Sequence, residues 1–290
     1  MLRILGILLF SATLTVEPAL ADSLNSVIKS PHREVSAQRD EYRHPLETIT
    51  FFDIQPNMTV VEIWPGSGGW YTEILAPYLR DQGKLYAAQF NADSESAFYR
   101  NSRAKFEAKL QSDPELYSKV SVVSFNPPTH VDFAPEGSAD RILTFRSIHN
   151  WYMRGGGDER VLAAFSAFYK ALKPGGILGI VEHRLPEARP SSDQEGSGYM
   201  HESYVIDLAQ RAGFKLLAQS NINANSKDSA LHPEGVWTLP PTLRLGDKQR
   251  SHYVSIGESD RMTLKLIKPE SSIADAKNSM TTSQPTAMDK

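Results

Sequence analysis

Residues Val60 to Leu75 read VVEIWPGSGGWYTEIL, a short β-branched run, then a cluster of glycines, then an amphipathic segment. The β-branched run predicts a buried strand, and the segment from Trp70 to Arg80 predicts a helix. A strand that passes through glycines into a helix brings backbone N–H groups and the positive end of the helix dipole towards one point. The missing side chains allow a ligand to approach the backbone closely. Glycines alone are equally compatible with a plain tight turn.

Outward from this stretch the same grammar repeats. Strands are expected at Met58 to Ile63, Lys84 to Gln89, Val120 to Ser124, Asp140 to Phe145, Ile177 to Val181, Phe214 to Ala218 and Met262 to Ile267. Helices are expected near Glu95 to Leu110 and Glu202 to Ala212, and Gly83 is placed to end the helix begun at Trp70 in the left-handed conformation. The clearest helix carries Val161, Phe165, Phe168, Tyr169 and Leu172 on one face, at i, i+4, i+7, i+8 and i+11. Lys173-Pro174-Gly175-Gly176 closes it. Strands alternating with helices predict an α/β fold with an open, mostly parallel sheet, whose ligand site lies outside the carboxyl ends of the strands.

The flanks read differently. Residues 1–21 combine Arg3, an apolar core from Ile4 to Phe10 and a small-x-small site at Ala19-Leu20-Ala21, the pattern of a secretory signal peptide. The apolar run is too short to span about 30 Å of hydrocarbon. Residues 22–57 form a helical approach in which Pro45 restricts His44 and breaks the helix. Residues 22–268 are read as one domain, and 269–290, rich in serine, threonine and alanine, as a disordered tail.

Composition removes several function classes. No cysteine is present, which excludes disulfides, thiolate metal sites and a cysteine nucleophile. A net charge of −3, from 31 basic and 34 acidic residues, supplies no general field for nucleic acid or anionic membrane. The expected location is therefore the bacterial periplasm, in soluble form after leader cleavage, with a small-molecule substrate. The eight histidines show no H-E-x-x-H spacing, and no metal site is expected.

Two nucleotide motifs fail on spacing. The phosphate-binding G-x-x-x-x-G-K-[ST] meets Trp70-Tyr71 where lysine is required, and G-x-G-x-x-G meets Tyr71 at its third glycine. Glu62-Ile63-Trp64-Pro65-Gly66-Ser67-Gly68 instead resembles the E/D-x-G-x-G-x-G motif of class I S-adenosylmethionine-dependent methyltransferases, and Leu172-Lys173-Pro174-Gly175-Gly176-Ile177-Leu178 resembles their L-K-P-G-G-x-L. The stretches RHPLETITFFDIQPNMTVVEIWPGSGGWYTEILAPYL, LTFRSIHNWY and LGDKQRSHYVSIGESDRMTLKLIKP are similar to a group of exported bacterial predicted methyltransferases.

The resemblance implies a Rossmann-like, doubly wound, mostly parallel seven-stranded sheet with helices on both faces. It also implies S-adenosylmethionine as cofactor, bound by Glu62, Trp64, Gly66, Ser67, Gly68, Gly69 and Gln89. Two departures stand out. Trp64 replaces the first motif glycine, and Pro65 biases it towards an extended conformation. Gln89 replaces the acidic residue that meets the ribose hydroxyls, 21 residues beyond Gly68. Trp64, Trp70 and Tyr71 either face a sulfonium or pack between helix and sheet, and packing is the commoner use of aromatics.

For the chemistry, His149 stands just beyond the fourth strand, and an imidazole pKa near 6.5 suits a general base; a purely structural histidine fits the position as well. Asn150, Trp151 and His183 are candidate substrate contacts, and the segment from Asn221 to Glu258 is a candidate lid. The alternative function is an exported binding protein that keeps the fold and has lost catalysis.

Overall fold

The computed structural model describes residues 17–270. Of the leader expected over 1–21, residues 1–16 lie outside the described residues, as does the tail from 271 onward. A helix, Glu17–Ile28, runs through the expected cleavage point after Ala21.

Eight strands form the sheet: β1 (Thr59–Ile63), β2 (Lys84–Gln89), β3 (Ser121–Ser124), β4 (Ala139–Phe145), β5 (Leu172–Leu185), β6 (Met200–His201), β7 (Lys215–Ser220) and β8 (Arg261–Ile267). Seven of them lie in the order β3-β2-β1-β4-β5-β8-β7, and the two-residue β6 pairs with the end of β5. The pairs among β1 to β5 are parallel, while β8 runs antiparallel to both β5 and β7. This is the doubly wound, mostly parallel architecture expected from the alternating pattern.

The two faces of the sheet follow from the period-two alternation of its strands. On β1, Val60 packs to one side, while Val61 and Ile63 pack to the other. On β4, Ile142 and Leu143 separate in the same way. The first side is covered by the helices Glu17–Ile28, Pro45–Phe51 and Thr72–Leu79 through Leu24, Ile49, Ile74 and Leu75. The second is covered by Gly157–Ala171 and Glu202–Arg211 through Val161, Phe165, Phe168, Val205 and Leu208. Phe165 and Phe168 are fully buried, each contributing about 1.5–3 kcal/mol of transfer free energy.

Local departures from the sequence pattern have physical causes. The helix expected to close at Lys173 ends at Ala171, because β5 already pairs Leu172 with Ala139. A register shift then absorbs Pro174 and the glycines before Ile177 pairs with Arg141. Gly83 is not left-handed. A Cβ there would lie 2.5 Å from the Pro56 carbonyl oxygen and 2.6 Å from that of Met58, so the position requires glycine for close backbone approach. In the N-terminal approach, His44 takes φ 41° between the helix Asp40–Arg43 and the Pro45 helix, where proline ends the first and starts the second.

Among the described residues no helix is long and apolar enough to cross a membrane.

Candidate functional site

Strand order reverses where β1 lies between β2 and β4, and a cavity of about 740 Å³ opens at the carboxyl ends of these strands. Its walls come from the glycine turn (Trp64, Pro65, Gly66), from the segment after β2 (Phe90, Phe98, Tyr99) and from the segments after β4 and within β5 (Arg146, His149, Asn150, His183). The long segment after β7 adds Val236, Trp237, Pro240 and Arg244. The expected lid segment thus lies along the cavity, and it contains a short 3-10 turn over Gly235–Thr238 and a helix over Arg250–Ile256.

The turn is built differently from its sequence expectation. Trp64 is not extended: its φ is 49°, the left-handed conformation that a glycine would take at no cost. Tertiary contacts override the bias from Pro65. The Trp64 N–H continues the sheet ladder to the Ala88 carbonyl at 2.8 Å, and the indole Nε1 donates to the Phe125 carbonyl at 2.9 Å. The ring packs on Phe90 and Trp151 at centroid distances of 4.7 and 5.4 Å. These contacts offset the 1–3 kcal/mol or so that such a backbone costs.

Gly66, with φ 71°, lines the cavity, and a Cβ added there meets nothing within 4 Å, so the space beside its backbone is open. Ser67 and Gly68 are exposed and line no part of the cavity, contrary to their expected role. Lys109 donates to the Gly68 carbonyl at 2.6 Å and pairs with Glu73, which clamps this side of the turn from outside. Gly69 is buried under Phe106, whose ring a Cβ would meet at 2.7 Å.

Glu62 is buried and accepts a hydrogen bond of 2.6 Å from the Thr72 hydroxyl, tying the strand to the first turn of the following helix. Burial pushes its carboxyl up to about 7, although Thr72 and the positive charges of Lys109 and Arg146 pull the other way. Gln89, expected at the ribose, is fully buried and already committed. Its Nε2 donates to the Gly66 carbonyl at 2.9 Å and its Oε1 accepts the Phe90 N–H at 3.0 Å, so it braces the turn. The acceptor left over at this strand end is Asn91 Oδ1, which is buried without a partner.

On the opposite wall, the short helix Ile148–Tyr152 sorts its own side chains. Ile148 and Trp151, three residues apart, enter the core, while His149 and Asn150 line the cavity. Trp151 is therefore a core residue, 1% exposed, and not a substrate contact. His149 Nδ1 lies 2.8 Å from Glu182 Oε1, and Asn150 Nδ2 lies 2.9 Å from His149 Nε2. This pairing assigns the proton to Nδ1 and leaves Nε2 as the acceptor. Both oxygens of Glu182 are occupied, Oε1 also by the His183 N–H and Oε2 by the Ile148 N–H, which fixes its orientation. His183 reaches Ser259 Oγ at 2.5 Å, and burial, followed by the charges of His149, Arg261, Arg146 and Arg43, pushes its imidazole well below the usual range.

Sequence spacing pointed away from a metal, yet the fold gathers His149, Glu182 and His183 with ligand atoms within 4.8 Å of one another. Their surroundings favour proton handling over a divalent cation. Glu182 is already saturated with donors, and Arg43, Arg146 and Arg261 share the cavity.

Arg43, Arg261, Glu258 and Ser259 are the cavity residues that sequence reasoning missed. Arg146 lies three residues before His149 in a quoted motif. Nothing in the spacing joins Arg43 to Arg261, which meet only because the N-terminal approach packs against the start of β8.

No family model and no curated protein sequence matches the chain. Solved structures share its fold. A putative sarcosine dimethylglycine methyltransferase from Galdieria sulphuraria superposes with a TM-score of 0.54 at 14% identity, over 84% of this chain and 90% of that one. A SAM-dependent methyltransferase from Aquifex aeolicus gives 0.51 at 14% identity, over 86% and 98%. The [4+2]-cyclase SpnF gives 0.52 at 16% identity, over 87% and 94%. The chain has the class I methyltransferase fold.

Proposed function

We propose that the protein is an S-adenosylmethionine-dependent methyltransferase acting on a small-molecule acceptor. The observation that carries this reading is the open backbone at Gly66, at the switch point of a methyltransferase fold, with a histidine-carboxylate pair across the same cavity.

The residues fit the cofactor. Gly66 leaves room beside the backbone for its amino-acid part, and the aromatic cluster of Trp64, Phe90 and Tyr99 lines the same cavity, a setting suited to an aromatic base or a sulfonium. When bound, the cofactor supplies an electrophilic methyl group. Glu62 and Gln89 act one step back, by holding the turn through Thr72 and the Gly66 carbonyl. His149 is the base: Glu182 holds Nδ1–H, and Nε2 receives the acceptor's proton once Asn150 turns aside. Trp237, its ring 6.0 Å from that of His149, closes this end of the cavity against water.

The test is calorimetric titration of the protein with S-adenosylmethionine and S-adenosylhomocysteine. Micromolar binding supports the reading; a folded sample that bound neither at millimolar concentration would falsify it. Binding without transfer to any acceptor would leave a binding protein on a retained fold. The SpnF likeness shows that this fold also carries a chemistry other than methyl transfer.

Export, proposed on the leader pattern alone, is tested by fractionating cells that produce the full chain. Recovery of an unprocessed protein in the cytosol would refute it.

A further inference from the structure

The charge inside the cavity does not balance. Arg39, Arg43, Arg146, Arg154, Arg244 and Arg261 all line it, against one carboxylate, Glu258. Arg244 has Glu234 at 3.6 Å and Trp237 beneath it. Among the described residues Glu258 is the one carboxylate to which any of the inner four donates. Arg39 and Arg261 donate to it at 2.5 Å, and Arg43 at 3.4 Å. Arg146 donates to no carboxylate, and its Nη1 is buried without a hydrogen-bond partner.

The imbalance is registered by the groups themselves. Burial, followed by the positive charge of Arg261, pushes the Arg146 guanidinium down to about 10. Burial alone would raise the Glu258 carboxyl, yet Arg261, Arg43, Arg146 and Arg39 hold it at about 2. Elsewhere the protein balances such charges. In a groove of about 630 Å³ beside β5, Arg184 makes a two-pronged pair with Asp260 at 2.9 and 3.0 Å and a further bond to Glu202. A buried guanidinium cluster with one counter-charge is costly when left bare and selective for an oxyanion, because the planar forks match carboxylate and phosphate geometry.

We propose that Arg146, with Arg43 and Arg261, forms an oxyanion subsite that takes the carboxylate or phosphate group of the molecule on which the protein acts. Calling that molecule a methyl acceptor rests on the proposed function; the subsite itself does not. Position separates it from the cofactor's place. Arg146 follows β4 and Arg261 opens β8, on the His149 and His183 side, whereas Phe90 and Tyr99 follow β2 across the switch point. Charge separates it too, since S-adenosylmethionine carries two cationic groups against one carboxylate. The acceptor class is therefore a small carboxylic or phosphoric acid with a proton-bearing nucleophile close to its anionic group.

The full chain is titrated with inorganic phosphate at low ionic strength, with chloride as the control for ionic strength, and binding is followed by calorimetry. Saturable binding is expected, weakened about tenfold or more by Arg146→Met, the loss of a hydrogen bond to a charged group. Arg39→Gln, at a more exposed position, is the second variant and should weaken binding by a smaller factor. Binding should survive saturation with S-adenosylhomocysteine. The subsite is refuted if the folded protein shows no saturable phosphate binding, or if folded Arg146→Met binds as tightly as the wild type. Competition by S-adenosylhomocysteine would hand the cluster to the cofactor's own carboxylate and overturn the acceptor assignment. Phosphate binding by a protein that ignores S-adenosylhomocysteine would sustain the subsite while the methyltransferase reading fails.

Discussion

Replacing Glu62 by glutamine probes the turn at its root. The carboxyl is fully buried, with a pKa raised from 4.5 to about 7, so the folded state holds its proton more tightly than the unfolded state does. The sign follows from proton linkage: this contribution is intact below the unfolded value of 4.5 and is lost as pH rises through about 7. For a shift from 4.5 to 7, the destabilisation is about 0.8 kcal/mol at pH 5 and about 3.3 kcal/mol at pH 8. Glutamine keeps an oxygen for the Thr72 hydroxyl but cannot ionise. Whatever constant offset the substitution introduces, Glu62→Gln should gain about 2.5 kcal/mol on the wild type between pH 5 and pH 8. Urea denaturation of both proteins at the two pH values measures this directly. A relative change below about 1 kcal/mol would refute the reasoning, because Glu62 would then be ionised in the folded state with compensation from Lys109 or Arg146.

Other outcomes follow from the same geometry. Gly66→Val should abolish S-adenosylhomocysteine binding, both by filling the open space beside the turn and by straining a backbone at φ 71°, while Gly68→Val, on the clamped outer side, should leave it within about threefold. Calorimetry decides, and the opposite ranking would relocate the cofactor. His149→Ala should lower turnover about 10²–10⁴-fold with cofactor affinity unchanged, and Glu182→Gln should do so less severely by loosening the imidazole's orientation. Equal turnover in His149→Ala would make the histidine structural. Arg146→Met should stabilise the ligand-free protein by about 1–3 kcal/mol at pH 7.5, since a guanidinium pushed from 12.5 to about 10 destabilises the fold at every pH below 10. A loss of stability in urea denaturation would show that the charge has a partner in the folded state.

The sheet was legible because its determinants are local. Short β-branched runs, one helical face through Val161, Phe165 and Phe168, and punctuation by glycine and proline are all readable along the chain. That Gly66 and His149 line one cavity was legible for the same reason: loops at the carboxyl ends of parallel strands gather at the switch point. Trp151 was misjudged because a short helix divides neighbours between core and cavity, and its direction is set by packing. Gln89 and Trp64 were misjudged because their conformations answer to partners distant in sequence, the Gly66 carbonyl and Phe125.

By itself, then, the amino-acid order determined the doubly wound sheet, its glycine turn and the end of the sheet where the cavity opens. The tertiary structure alone decided the chemical character of that place. It joined Glu182 to His149, and it brought Arg43, Arg146 and Arg261 around a single carboxylate. Secondary structure is written in periodicities of a few residues, whereas an electrostatic field is a sum over groups that only folding makes neighbours. A chain with a net charge of −3 thus surrounds a cavity that is strongly positive.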